Sequence, residues 1–300
     1  MRRFARTHRA TIAVAGTLAT TALLVLVLNG KRHEFATAIS DVPLGIVVLA
    51  VGLQIIALLA RSEAWHLTIQ SAGGTVARRV LYRASGMQVL GGVLNAQLGM
   101  AARITALRRS SPDVAPQVPT LIAAEFPILA VEAMLAALTS FTLVVPLGLP
   151  WWLPLVALAV VATLSAGLRH LALRKGRAVW QGLAVLRSLR GGALVVGFVL
   201  VAVFMQIFRN WLLLHAVGVD ASFLDAIAVL IAVVSLGQLP VGPTAGAAAA
   251  VLILGHDGVA AAAAAGVLLT VTGTLGGMCF AAWAALDGAW VRRRRVPSKI

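Results

Sequence analysis

Apolar stretches of about 18 to 25 residues recur along the chain, and the charge lies in short segments between them. Each stretch is long enough to cross a hydrocarbon layer about 30 Å thick as a helix. The composition agrees: 60% of residues are apolar, 12% are charged, and the mean hydropathy is +0.95. A soluble chain of this length needs far more charged surface. The sequence therefore reads as one integral membrane domain, 1–300, ending in a basic tail at 291–300.

The net charge of +15 does not indicate a nucleic-acid partner. The basic residues line no soluble face; they cluster between apolar runs, the pattern that fixes orientation by keeping Lys and Arg in the cytoplasm. Cys279 is the single cysteine, so no internal disulfide is available. The N-terminus resembles a signal peptide, with Arg2, Arg3, Arg6 and Arg9 before an apolar run. Lys31, Arg32 and Glu34 separate that run from the small residues at 36–38, so it reads as an uncleaved first helix. Arg outnumbers Lys by 22 to 3 and alanine is abundant, which points to a G+C-rich bacterial genome.

Spanning helices are expected near 11–29, 43–60, 120–147, 151–170, 192–217 and 259–288, six in all. Two further pieces, 84–104 and 223–255, are apolar but interrupted by Gly, Pro, Asn and Gln. Charge parity decides how they run. With the N-terminus in the cytoplasm, the basic segments 61–83 and 169–190 fall on the same side only if 84–104 dips in and returns. The tail Arg292–Arg295 is cytoplasmic only if 223–255 also returns, from the outer side. Under that topology 22 of the 25 Lys and Arg residues are cytoplasmic. The fold class is an all-α polytopic membrane helix bundle with about six spanning helices and two opposed re-entrant broken-helix elements.

The second broken element contains "GQLPVGPTAG", where Pro240, Gly242, Pro243 and Gly246 interrupt an apolar run. Irregular backbone at membrane depth is tolerated only where protein buries it or water fills a cavity. Residues 239–246 are therefore expected to line an interior site. Opposed broken helices of this kind build midplane sites in many transporters.

These residues also carry a resemblance. The order "RSEAW", "GGVLNAQLGMAARITALRR", a helix with internal acids, then "LPVGPTAGAAAA" resembles the flippase-like transmembrane domain of lysylphosphatidylglycerol synthases of the multiple-peptide-resistance type, and its stand-alone relatives. Asn95, Leu98, Gly99 and Arg103 match the first family element; Pro240, Pro243 and Gly246 match the second. The first lacks the family's proline and acid, and alanines replace the glutamate of the second. The resemblance implies lipid translocation between leaflets in a bacterial cell membrane. It does not imply aminoacylation.

The candidate binding residues are polar side chains inside apolar segments. Glu132 lies deep in the fourth helix, where a lone carboxylate is expensive, and Glu125 is seven residues earlier on the same face. Gln206, Arg209 and Asn210 cluster in "MQIFRNW". Glu132 and Arg209 are expected to face one cavity, with Arg209 meeting a lipid phosphate through bidentate hydrogen bonds. Arg103 and Asn95 join them from the first broken element. Trp65, Trp151 and Trp152 read as interfacial anchors, and Arg78, Arg79 and Arg83 as topology charges. No metal-ligand spacing, P-loop or nucleophile motif occurs, so the expectation is no enzyme activity, no metal and no cofactor. The expected function is a membrane lipid transporter for an anionic phospholipid or polyprenyl-phosphate intermediate. The alternative is a non-catalytic membrane subunit that anchors or regulates a glycosyltransferase or lipid-modifying enzyme.

Overall fold

The structure, a computed structural model, describes residues 22, 25–26, 28–92, 96–112, 114–173, 178–236, 245–255 and 258–295. Among these residues it is helical and contains no strand. The helices are α1 (Arg32–Ser40), α2 (Leu44–Ser71), α3 (Arg78–Gly92), α4 (Ala96–Ser110), α5 (Val118–Ala123), α6 (Phe126–Thr139), α7 (Val144–Leu147), α8 (Leu153–Leu173), α9 (Ala178–Gln181), α10 (Leu189–Ala216), α11 (Phe223–Leu236), α12 (Ala245–Leu254) and α13 (Val259–Arg295). Short 3₁₀ turns occupy Ser140–Leu143 and Ala184–Arg187.

Among the described residues five stretches are long and apolar enough to cross a membrane: Leu44–Ser71, Val118–Leu147, Leu153–Leu173, Leu189–Ala216 and Val259–Val291. The first expected helix, 11–29, lies almost entirely outside the described residues. Large apolar side chains are left uncovered along these stretches, among them Leu44, Val145, Leu164, Phe204 and Leu286. Without lipid around them, such surfaces would aggregate. The fold is an all-α polytopic bundle embedded in a membrane.

Both interrupted pieces are helical hairpins. The arms α3 and α4 have 15 residues each, about 22 Å at 1.5 Å per residue, and α11 and α12 have 14 and 10. No arm reaches across a 30 Å layer. The first hairpin is longer than the 84–104 expected. It begins at Arg78 and ends at Ser110, because "RRVLYR" and "TALRRS" continue the helices instead of forming loops.

The second spanning helix also outruns its expected end at residue 60. It continues through "RSEAWHLTIQS", a run of good helix formers, to Ser71. Gly73 stops it in the left-handed region, φ +89°. Gly74 N–H reaches the Ile69 carbonyl and Gly73 N–H the Gln70 carbonyl, a Schellman cap. The fourth helix breaks at Ala124–Glu125, just before Pro127. Proline has no N–H to donate and its ring clashes with the carbonyl four residues back, here Ala123.

The chain groups into two compact units. One comprises Met1–Leu53, Leu138–Leu155 and Gln206–Thr274. Its interior is built from small side chains: Ala226, Ala228, Ala232, Ala247, Ala249, Ala250 and Ala262 to Ala265, with Leu213 and Leu214. The other comprises Gln54–Ala137, Val156–Met205 and Leu275–Ile300. Its core is larger-grained, with Trp65, Ile69, Leu81, Ile104, Leu107, Leu121, Ile128, Val195 and Val199 in one cluster.

Candidate functional site

The unit with the larger-grained core holds charged side chains inside it. Arg103 projects from α4 on the same face as Ile104 and Leu107 and is 1% exposed. Its Nη1 donates to Glu125 Oε1 at 2.6 Å. Glu125 is 3% exposed and sits at the break before Pro127, where α5 ends and α6 begins. The Arg103 guanidinium stacks 3.4 Å from the centroid of the Trp65 ring, which is wholly buried. A buried charge is tolerable only when paired and hydrogen-bonded, and this arrangement provides an anion and a π face together. Arg103 Nε and Trp65 Nε1 have no hydrogen-bond partner among the described residues.

A second ion pair lies on the same helices but is open. Arg61 of α2 donates through Nη1 to Glu132 Oε1 of α6. Their side chains are 30% and 25% exposed, against 1% and 4% for Arg103 and Glu125. Glu132 also lies in the field of Glu125, so two cations and two carboxylates form one neutral group. About 25 Å of apolar helix, Leu44 to Ala60, precedes Arg61, and its partner Glu132 lies at the middle of the apolar stretch Val118–Leu147.

At the base of the first hairpin the polar contacts are more exposed. Asp287 of α13 accepts from both Arg79 and Arg83 of α3. Arg79 also lies 5.8 Å from the Trp290 ring centroid. Glu63 accepts from the Tyr82 hydroxyl and lies 3.5 Å from Arg78 Nε. Burial first, then the hydrogen bond to Glu63, pushes the Tyr82 hydroxyl up to about 12, so it remains a donor. His66 Nε2 lies 3.2 Å from the Val76 carbonyl, which requires that nitrogen to carry the proton.

The alanine-rich unit contains the other cation at depth. Arg209 is 8% exposed and Asn210 1% exposed, both on α10. Gly273 of α13 faces Arg209: a methyl group there would meet Nη1 at 3.3 Å. Gln206 is half-buried on the same helix. Gly246 of α12 lies against Gly266 and Thr270 of α13, and a Cβ on Gly266 would collide with the Ala247 backbone. Gly246 therefore has a packing role in this structure.

Of the residues expected to bind, Glu132 pairs with Arg61, and Arg209 belongs to the other unit. Arg103 is deep and pairs with Glu125. Asn95, Pro240, Gly242 and Pro243 lie outside the described residues, as does most of the expected interior site at 239–246. Trp65 is a correction: it is a buried stacking surface for Arg103, because α2 continues past residue 60 and turns Trp65 into the core. Trp151 and Trp152 are exposed, as interfacial anchors are. Arg79 and Arg83 are more than topology charges, since both engage Asp287.

Sequence reading missed Arg61, which looked like a loop residue. The helix-forming "RSEAW", spaced so that Arg61 and Trp65 fall one turn apart, was the available signal. Among the described residues no group of three or more His, Cys, Asp or Glu is placed to hold a metal ion.

The geometry defines a polytopic helical membrane protein with charged residues paired inside it. Compared with models of protein families, with curated proteins and with solved structures, the chain matches none.

Proposed function

We propose that the protein moves an anionic phospholipid or a polyprenyl-phosphate intermediate between leaflets of a bacterial inner membrane, with both termini cytoplasmic. The observation that supports this reading is a hairpin that stops part-way across the membrane and is lined with guanidinium groups beside a spanning helix. Ionisable residues inside a membrane are costly and mark substrate or ion paths. Half-depth hairpins in transporters bring irregular backbone and charge to the substrate. Arg61 is the open cation of the group and suits a phosphate through its planar fork of donors. Arg209, with Asn210 beside it, offers a second guanidinium at depth in the other unit.

The test is a leaflet-flip assay on purified protein in liposomes, with a fluorescent anionic phospholipid and a polyprenyl-phosphate analogue. Wild type is expected to flip faster than protein-free liposomes, and Arg61→Ala to lose that excess. A well-folded wild type that flips neither lipid overturns the reading.

One observation favours a second reading, a non-catalytic subunit that anchors or regulates a glycosyltransferase or lipid-modifying enzyme. The charges at Arg61, Glu132, Arg103 and Glu125 already satisfy one another. Under that reading, replacing Arg61 and Glu132 together by methionine leaves function intact.

A further inference from the structure

The two buried-charge pairs differ in one respect that bears on how an anion enters. Arg103–Glu125 is sealed, stacked on Trp65 and closed on all sides by the core. Arg61–Glu132 is open by a quarter to a third of each side chain. A charged group placed there must be neutralised both before and after a ligand binds, because an uncompensated charge in low dielectric is expensive.

We infer that Arg61–Glu132 is an exchangeable ion pair at which a lipid phosphate and one proton bind together. This inference rests on the transport reading above and supplies its coupling. In the empty site Arg61 is paired with the Glu132 carboxylate. When a phosphodiester takes over the guanidinium, the released carboxylate accepts one proton from the aqueous phase and becomes a neutral acid. Each state is neutral: cation with carboxylate, then cation with phosphate beside a protonated acid. No covalent bond is made or broken, and the only species consumed is that proton. Carriage of one monoanionic lipid is thereby tied to one proton in the same direction, so a proton gradient drives it without moving net charge.

The surroundings of Glu132 suit this exchange. The charged groups near it are Arg61 from α2, Glu125 at the start of its own helix, and Arg103 from α4, which Glu125 holds. The α10 side chains in the same core, Val195, Phe198, Val199 and Val203, are apolar. The sealed pair stays in place and keeps the hairpin anchored.

The experiment measures proton uptake on binding. Purified protein in weakly buffered, phosphate-free maltoside micelles is titrated with short-chain phosphatidylglycerol, with diacylglycerol as the headgroup-free control and inorganic phosphate as the free-anion control. Wild type is expected to take up about one proton per lipid bound, and its affinity to rise about tenfold for each unit by which pH falls. The sign follows because the bound state carries one more proton than the empty one. Glu132→Gln, which keeps a neutral hydrogen-bond partner for Arg61, is expected to bind the lipid without proton uptake and without pH dependence. Arg61→Lys is expected to bind more weakly while keeping the uptake. Uptake driven equally by inorganic phosphate assigns the site to the free anion and overturns the lipid proposal. Binding without uptake by wild type, uptake that persists in Glu132→Gln, or no headgroup-dependent binding also overturns it. Flipping that persists with no proton uptake would remove this inference and leave the transport reading standing; uptake without flipping would do the reverse.

Discussion

The two hairpins solve the same mechanical problem with different chemistry. Each is too short to span, so each must be fixed in depth by something other than its own hydrophobic length. The first, α3–α4, uses glycine at its turn: Gly91 lies against Leu98 and Gly99, and a Cβ on Gly99 would sit 2.7 Å from the Gln88 carbonyl oxygen. It then locks to its neighbours with charges, Arg103 to Glu125 at depth and Arg79 and Arg83 to Asp287 at its base. Along the segment of α13 in its own unit, Gly86 touches Ala281 and Ala284. The second hairpin, α11–α12, is held differently. Its return arm meets α13 through Gly246 and Ala247 against Gly266, backbone on backbone. In membranes small residues let helices approach closely, and the gain is dispersion contact spread over many atoms. Ion pairs set register sharply; small-residue contact tolerates sliding along the seam but not thickening of it.

The largest effect should come from breaking the sealed pair on one side only. Arg103→Met leaves Glu125 buried without its cation, and Glu125→Met strands Arg103; each is expected to cost about 3 to 5 kcal/mol. The double replacement should recover most of that loss, because no uncompensated charge remains. Thermal unfolding of the detergent-solubilised protein, followed by the fluorescence of buried Trp65 among others, checks the cycle. Additive losses in the double variant would mean that Arg103 and Glu125 hold the hairpin through other contacts.

The second hairpin is tested by thickening its seam. Gly266→Ala drives a methyl group into the Ala247 backbone, which cannot swing aside as a side chain does. The expected loss is about 1 to 3 kcal/mol, the usual scale of overpacking. Gly92→Ala, which meets nothing within 4 Å in the first hairpin, should be nearly silent in the same assay. Equal losses at both positions would erase the contrast between a glycine required by contact and one that is not.

How much of this was legible beforehand differs between the hairpins for the same physical reason. The second hairpin announces itself in sequence, because Pro240 and Pro243 cannot sit inside a helix. The first follows from charge parity, but its extent does not, since Arg78 and Arg79 read as topology charges outside it although they are helical. The deep residues Glu125, Glu132, Arg103 and Arg209 stand out against an apolar background, so their importance was readable. Their pairing was not. Whether Glu132 meets Arg61 or Arg209 depends on where α2 ends, and hydropathy ends it at Ala60 whereas its hydrogen bonding continues to Ser71. Trp65 shows the same limit: aromatic character suggests an interface, and only the continued helix turns it beneath Arg103.

The base of the first hairpin separates exposed charge from sealed charge. Asp287→Asn removes the acceptor shared by Arg79 and Arg83; Asp287 is itself buried, but its partner Arg79 is more than half exposed. Its effect on the unfolding temperature should be smaller than that of Arg103→Met and should shrink as salt is raised, because exposed charges are screened within about 8 Å at physiological ionic strength. The Arg103→Met loss should not change with salt. Salt dependence in both, or in neither, would remove the distinction between base and depth.

A smaller effect than that of Gly266→Ala is expected two turns further along α13, at Gly273 in the alanine-rich unit. A methyl group there meets Arg209 Nη1 at 3.3 Å, tight but against the far end of a flexible side chain. A shift of a few tenths of an ångström relieves it, so Gly273→Ala should cost about 1 kcal/mol or less. Gly266 and Gly273 lie seven residues apart on one helix, yet one faces backbone and the other a guanidinium. If Gly273→Ala instead costs as much as Gly266→Ala in the same unfolding assay, Arg209 is held rigidly in place. A rigid Arg209 would be a second fixed cation in the membrane, and Arg209→Lys should then be as damaging as Arg209→Met, since neither keeps the planar fork of donors.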